Sequence, residues 1–215
     1  MQTSRFRDGV LAGLPLALAP LLFGAAFGVL AVDAGMGWAP AVLMSATTFA
    51  GSAQFGAASI LDTGGGALAA IVAAVLLNAR YAPLSIAVAS IFPGTTRRRL
   101  LESQLIVDES WALAGRSGRF EYGILVGVGV LFWLLWVGGT ALGTVVGDLL
   151  DPEAIGLDAA FPALFLALLV PYLRTRRAIA AALTAAAITF VLIPVAPAGL
   201  PIVAASLACL WGLRR

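Results

Sequence analysis

Residues 67–92 (ALAAIVAAVLLNARYAPLSIAVASIF) form a continuous apolar run with a single arginine, Arg80, near its centre. The chain has 13 basic residues, all arginine, and every other one lies at a segment end or in a polar connection. An unpaired guanidinium at the bilayer centre costs about 2.5–3.5 kcal/mol on insertion scales, so Arg80 must face protein or a water-filled cavity and have a partner. Pro83 follows three residues on. It cannot donate to the carbonyl of Ala79, so a bend is expected there, with a free acceptor between Asn78 and Arg80. Two uses of Arg80 fit this pattern: a midplane binding site on an interrupted helix, or a structural arginine paired with an acid on another helix.

Of the 215 residues, 61% are apolar and 11% charged, with a mean hydropathy of +1.00. That excludes a soluble globular fold. At about 20 residues per crossing, roughly six or seven segments fill residues 1–215 as a single integral membrane domain, all-α and polytopic. The net charge of +2 sits at loop ends. It is an orientation signal rather than a nucleic-acid footprint. Histidine is absent and Cys209 is the single cysteine, which excludes a His/Cys metal site and an internal disulfide. No cofactor is expected.

The segments expected to span are residues 10–32, 41–61, 67–92, 121–146, 161–173, 178–195 and 200–213. The first follows Arg5 and Arg7, is too long for a signal-peptide core, and is read as a retained span. Pro15 and Pro20 invite a bend in it, and Gly24 and Gly28 give it a small-residue face. Segment 121–146 repeats glycine at Gly123/Gly127 and Gly139/Gly143/Gly147, a face for close helix approach within this chain or with another. The connection at 148–158 is acidic.

Segment 41–61 is unusually polar. On a continuous helix Ser45, Thr48, Ser52 and Ser59 make one stripe, with Thr47, Gly51 and Gln54 beside it. This surface either packs through small residues or lines a pathway. Arginine clusters belong on the cytoplasmic side. With Arg5, Arg7 and Arg97–Arg99 all inside, an even number of crossings must precede Arg97, so one of the first three segments does not cross fully. Segment 41–61 is favoured as the re-entrant or discontinuous element and 67–92 is the alternative.

FAGSAQF (residues 49–55), NAR (78–80) and DESWAL (108–113) together resemble the AzlC family, the large subunits of bacterial branched-chain amino acid exporters. The resemblance covers the whole chain. It implies export of leucine, isoleucine, valine or related small apolar amino acids across the bacterial cytoplasmic membrane by a multi-pass secondary transporter. It also implies a small membrane subunit of the AzlD type as partner. The residues agree with such a cargo. A zwitterion needs a cationic site for its carboxylate, and Arg80 supplies one able to clamp it bidentately. It also needs an acidic or carbonyl site for its ammonium, offered by backbone near Pro83 and FAGSAQF or by Asp108 and Glu109. Phe49 and Phe55 would wall an apolar side chain. The expected substrate-binding set is therefore Phe49, Gly51, Ser52, Gln54, Phe55, Asn78, Arg80 and Tyr81.

No Walker A sequence is present, which leaves an ion gradient to drive transport. Asp108 and Glu109, adjacent acids between apolar flanks, are the expected proton-coupling pair. The other use of these acids is to cap a helix or pair with Arg116 or Arg119. A channel or scaffold subunit built on the Gly139–Gly147 face is the competing function. A membrane enzyme is disfavoured because no catalytic set is visible.

Overall fold

The computed structural model describes residues 2–62, 64–116, 119–146, 166, 169–196, 200–205, 207, 208 and 210. Its helices are α1 (Gln2–Gly13), α2 (Leu18–Asp33), α3 (Trp38–Thr48), α4 (Gly51–Asp62), α5 (Ala67–Asn78), α6 (Tyr81–Val88), α7 (Thr96–Ser103), α8 (Asp108–Ala114), α9 (Tyr122–Val146), α10 (Arg176–Leu192) and α11 (Leu200–Ala205). Between α8 and α9 lies a minimal antiparallel ladder, Gly115–Arg116 against Arg119–Phe120.

By length and apolarity, Ala67–Ile91 and Tyr122–Val146 can each cross a membrane. The pair Arg5–Leu16 and Leu18–Asp33, bent by 65°, makes a third crossing if taken as one broken span. Among the described residues, that makes two or three crossings, where six or seven are expected of the whole chain. About half of the expected segment 161–173 lies outside the described residues, as do the whole acidic connection 148–158, Gly147 and Cys209. The last two expected segments correspond to α10 and the shorter α11.

α9 is the axis of the fold, because its glycines let other backbones reach it. A Cβ on Gly139 would run into the carbonyl of Leu21, and one on Gly143 into that of Ala25. From the other side, Gly24 and Gly28 of α2 meet the carbonyls of Trp136 and Thr140. Gly123 and Gly127 receive α1 in the same way, at Arg5 and Phe6. Approach this close is the small-residue mode of helix association in membranes. The partner of this glycine face is within the chain, so among the described residues it is not a free surface for scaffolding. The first helix also starts earlier than expected, at Gln2, and its bend falls at a 3₁₀ turn, Leu14–Leu16, that contains Pro15. Around this axis a core forms from Phe23, Phe27, Phe49, Val88, Phe92, Leu125, Phe132 and Trp136.

The contacts along α9 fix the course of the chain. α1 and α2 run parallel to α9, from Gly9 beside Ile124 to Gly28 beside Thr140. α3 then descends: the Ser45 hydroxyl meets Thr140, and the Trp133 indole N–H donates to the Ala46 carbonyl at 3.0 Å. At Phe49 the chain turns through a left-handed residue, φ 39° and ψ 55°. α4 then leads back, with Gly51 against Trp136 and Phe55 edge-on to Phe27 at 5.9 Å. α5 packs antiparallel on α4, and the strand of contacts ends with Phe92 edge-on to Tyr122 at 5.7 Å. Segment 41–61 thus folds as a helical hairpin that enters and leaves at one end of α9. Arg5, bonded to Glu121 at 3.1 Å, and Arg98, bonded to Tyr122 at 2.9 Å, lie together at the other end.

Residues 67–91 behave differently. Ala79 and Arg80 keep right-handed helical angles, and only the hydrogen-bond ladder changes. The carbonyl that Pro83 leaves without its usual donor does not stay free, because the Ala82 N–H donates to Ala79 at 3.1 Å. The expected open acceptor is corrected on that point. A local tightening of the helix consumes it.

Candidate functional site

Arg80 reaches across from the α5–α6 junction to α8. Its Nη2 lies 3.0 Å from Oδ2 of Asp108, and the two side chains are 20% and 23% exposed. Tyr81 sits between them: Arg80 donates to its hydroxyl at 3.3 Å, and that hydroxyl reaches the same Asp108 oxygen at 3.5 Å. The guanidinium also lies over the Tyr81 ring, 5.1 Å from its centre, a cation–π placement. The acidic partner of Arg80 is therefore one of the two expected proton-coupling residues. Arg80 and Tyr81 of the expected binding set and Asp108 of the expected coupling pair form one cluster.

The entry of α8 is pinned. The Ser110 hydroxyl, fully buried, accepts from the Val107 N–H at 3.0 Å and donates to the Leu105 carbonyl at 2.7 Å. Asp108 and Glu109 fill the first turn of this seven-residue helix, which is too short to span. Here both acids open a helix, and Asp108 pairs with an arginine, Arg80, rather than with Arg119; the side chain of Arg116, the other expected partner, lies outside the described residues. Burial raises the Asp108 carboxyl above its ordinary range, against the opposing pull of Arg80. Burial, and next the charge of Asp108, lift Glu109 to about 7. Two adjacent acids, one held by a cation and one raised toward neutrality, are electrostatically coupled, so the charge of one bears on the other.

The second group of expected residues surrounds the turn at Phe49. Gln54 is fully buried. Its Oε1 accepts from the Ala50 N–H at 3.2 Å, and its Nε2 donates to Ser45 at 2.8 Å. Ser45 and Thr140 are 2.7 Å apart, and Thr140 donates to the Trp136 carbonyl at 2.9 Å. Because the Thr140 proton is committed to Trp136, Ser45 must donate to Thr140. The network then runs in one direction: Gln54, Ser45, Thr140, Trp136. The stripes drawn on a continuous helix are overturned here. Reversal at Phe49 brings Ser45 and Gln54, from different stripes, into contact.

Phe49 and Phe55 both pack edge-on to Trp136, at 6.5 Å each. A Cβ on Gly51 would come within 2.7 Å of the Trp136 ring. The apolar wall is thus built on Trp136, which the motifs do not contain. Thr140 is likewise absent from them. The available signal was their i, i+4 spacing on the glycine-bearing face of segment 121–146. Ser52 Oγ and Asn78 Oδ1 are buried without a hydrogen-bond partner. They lie on α4 and at the end of α5, elements joined through Ala50, Ala53 and Leu77, with Tyr81 packed against the same cluster. A buried polar atom left unpaired costs about 1–3 kcal/mol.

The fold and site together define a helical membrane protein with interrupted helices around a shielded charge pair. The family model described as AzlC protein matches residues 15–150, and the chain belongs to that family. It is 32% identical over 213 residues to an uncharacterized membrane protein of Archaeoglobus fulgidus, covering 96% of this chain and 93% of that one. It is 27% identical over 175 residues to an uncharacterized membrane protein of Helicobacter pylori, covering 79% and 77%. A Bacillus subtilis protein named branched-chain amino acid transport protein AzlC is 27% identical over 169 residues, covering 77% of this chain and 66% of that one. No solved structure matches the chain. These relationships support a role in membrane transport.

Proposed function

We propose that the chain is the large subunit of a secondary transporter that exports branched-chain or related small apolar amino acids across the cytoplasmic membrane. In this reading it is proton-coupled and works with a small AzlD-like membrane subunit. The observation that carries it is the Arg80–Tyr81–Asp108 cluster, which sets both charges required by a zwitterion side by side. Arg80 takes the carboxylate and Asp108 the ammonium. Ser52 and Asn78 add hydrogen-bonding capacity, and Phe49 and Phe55, fixed by Trp136, supply apolar surface for the side chain. Gln54 is assigned to holding the Phe49 turn rather than to touching cargo, since both ends of its amide are engaged. Discrimination among leucine, isoleucine and valine is loose, because one methylene is worth only about 1–3 kcal/mol in an apolar pocket.

Coupling is assigned to Glu109, whose carboxyl is lifted to about 7 next to Asp108. The groups that bear on its charge are Asp108 and Arg80. Protonating Glu109 removes a negative charge beside Asp108 and alters the grip of the ion pair on its cargo. The scaffold alternative loses its main feature, since Gly139 and Gly143 are occupied by α2.

The test is Arg80→Ala in cells loaded with leucine. Efflux is lost while the amount of membrane-inserted protein stays at the unmutated level. Efflux at the unmutated rate would overturn the site assignment.

A further inference from the structure

We propose that the Arg80–Asp108 ion pair is a latch that selects zwitterions: it opens to cargo carrying both charges and stays shut to cargo carrying one. This rests on the transporter reading and specifies how its site chooses a substrate class. The two side chains are about four-fifths shielded and 3.0 Å apart through Nη2 of Arg80, so a carboxylate that takes Nη2 must displace Asp108. If the incoming molecule is a monocarboxylate, Asp108 is left charged and unpaired in a shielded setting, and the displacement is unfavourable. If it is an amine, Arg80 is orphaned in the same way. An α-amino acid replaces both partners at once and leaves neither charge uncompensated.

Tyr81 makes the exchange possible without a dry intermediate. Its hydroxyl already accepts from Arg80 and lies 3.5 Å from Asp108, so each charge keeps one polar neighbour as the two separate. The latch spans two elements held in different ways. Arg80 stands on the long helix of residues 67–91, of which little is buried. Asp108 stands on the short α8, anchored by Ser110. The pair and the Tyr81 hydroxyl are the polar ties shown between them.

The experiment is calorimetric titration of the purified full-length protein in lipid nanodiscs with three probes of one carbon skeleton. These are L-leucine, 4-methylpentanoate (no ammonium) and 3-methylbutylamine (no carboxylate). Unmutated protein should bind leucine at least about 30-fold more tightly than either single-charge probe, the lower bound for leaving a shielded partner charge unpaired. Asp108→Asn, which leaves no orphan anion, should bring leucine and 4-methylpentanoate within about 3-fold of one another. Arg80→Gln should do the same for leucine and 3-methylbutylamine. Asp108→Glu, which keeps the charge, should retain the preference and serves as the folded control.

Equal affinities for leucine and 4-methylpentanoate in the unmutated protein would overturn the latch and leave the transporter reading standing. So would an unchanged preference in Asp108→Asn. Binding of none of the three probes would overturn both.

Discussion

Two interruptions of helix lie close together in this protein, and they are stabilised in opposite ways. At Phe49 the backbone reverses through a left-handed residue. Gln54, Ser45 and Thr140 are tied into a buried, directional chain that ends on the long helix α9. At Ala79–Arg80 the backbone stays right-handed, the ladder merely tightens, and the local polar groups form an ion pair that is one-fifth exposed. A fully paired buried network rigidifies, whereas a partly exposed ion pair contributes little to stability and can be exchanged. The first interruption fixes a wall and the second presents charges. A site that must hold its shape yet release its cargo requires both kinds.

The comparison can be broken most severely at the Phe49 turn. Gln54→Leu strands the Ala50 N–H and removes the donor to Ser45, and should lower stability by about 2 kcal/mol. Thermal unfolding in detergent checks this. Thr140→Val, which breaks the chain at its far end, should cost about 1 kcal/mol by the same measurement. Arg80→Gln with Asp108→Asn, at the second interruption, removes both charges and strands neither, so it should change stability by less than about 1 kcal/mol, yet it should abolish leucine efflux. If that double variant proved the more destabilising of the three, the contrast between a fixed wall and an exchangeable pair would fail.

The finest distinction concerns Glu109. With its carboxyl lifted to about 7, the folded state holds a proton that the unfolded state, titrating near 4.5, releases. Stability contributed by that proton is therefore lost as pH rises from about 5 to about 7. The melting temperature of the unmutated protein should fall across this window relative to Glu109→Gln. The pH dependence of efflux near neutrality should flatten in the same variant.

Much of the site was legible in the sequence because it rests on solvation. An arginine in the middle of an apolar run, and paired acids between apolar flanks, are anomalies that need no coordinates to find. Their meeting was not legible, since nothing local says that Asp108 lies opposite Arg80. The polar stripes of segment 41–61 misled for a related reason. They assumed one helical register, and the left-handed conformation at Phe49 is imposed by packing on Trp136 and by the Gln54 network, not by a glycine or proline at that position. Proline at 83 did mark a disturbance, but the consequence was a tightened turn rather than an open carbonyl. The glycine repeats in 121–146 foretold close packing and could not say on which helix.

The most direct measurement pairs two neutral, similarly shaped replacements, Arg80→Gln with Asp108→Asn, and follows both unfolding temperature and leucine efflux. Removing both partners of an ion pair leaves neither charge stranded, so the double variant should melt close to the unmutated protein and export no leucine. Leucine efflux at the unmutated rate from that variant would mean that the charges serve the fold alone, and would contradict the central claim.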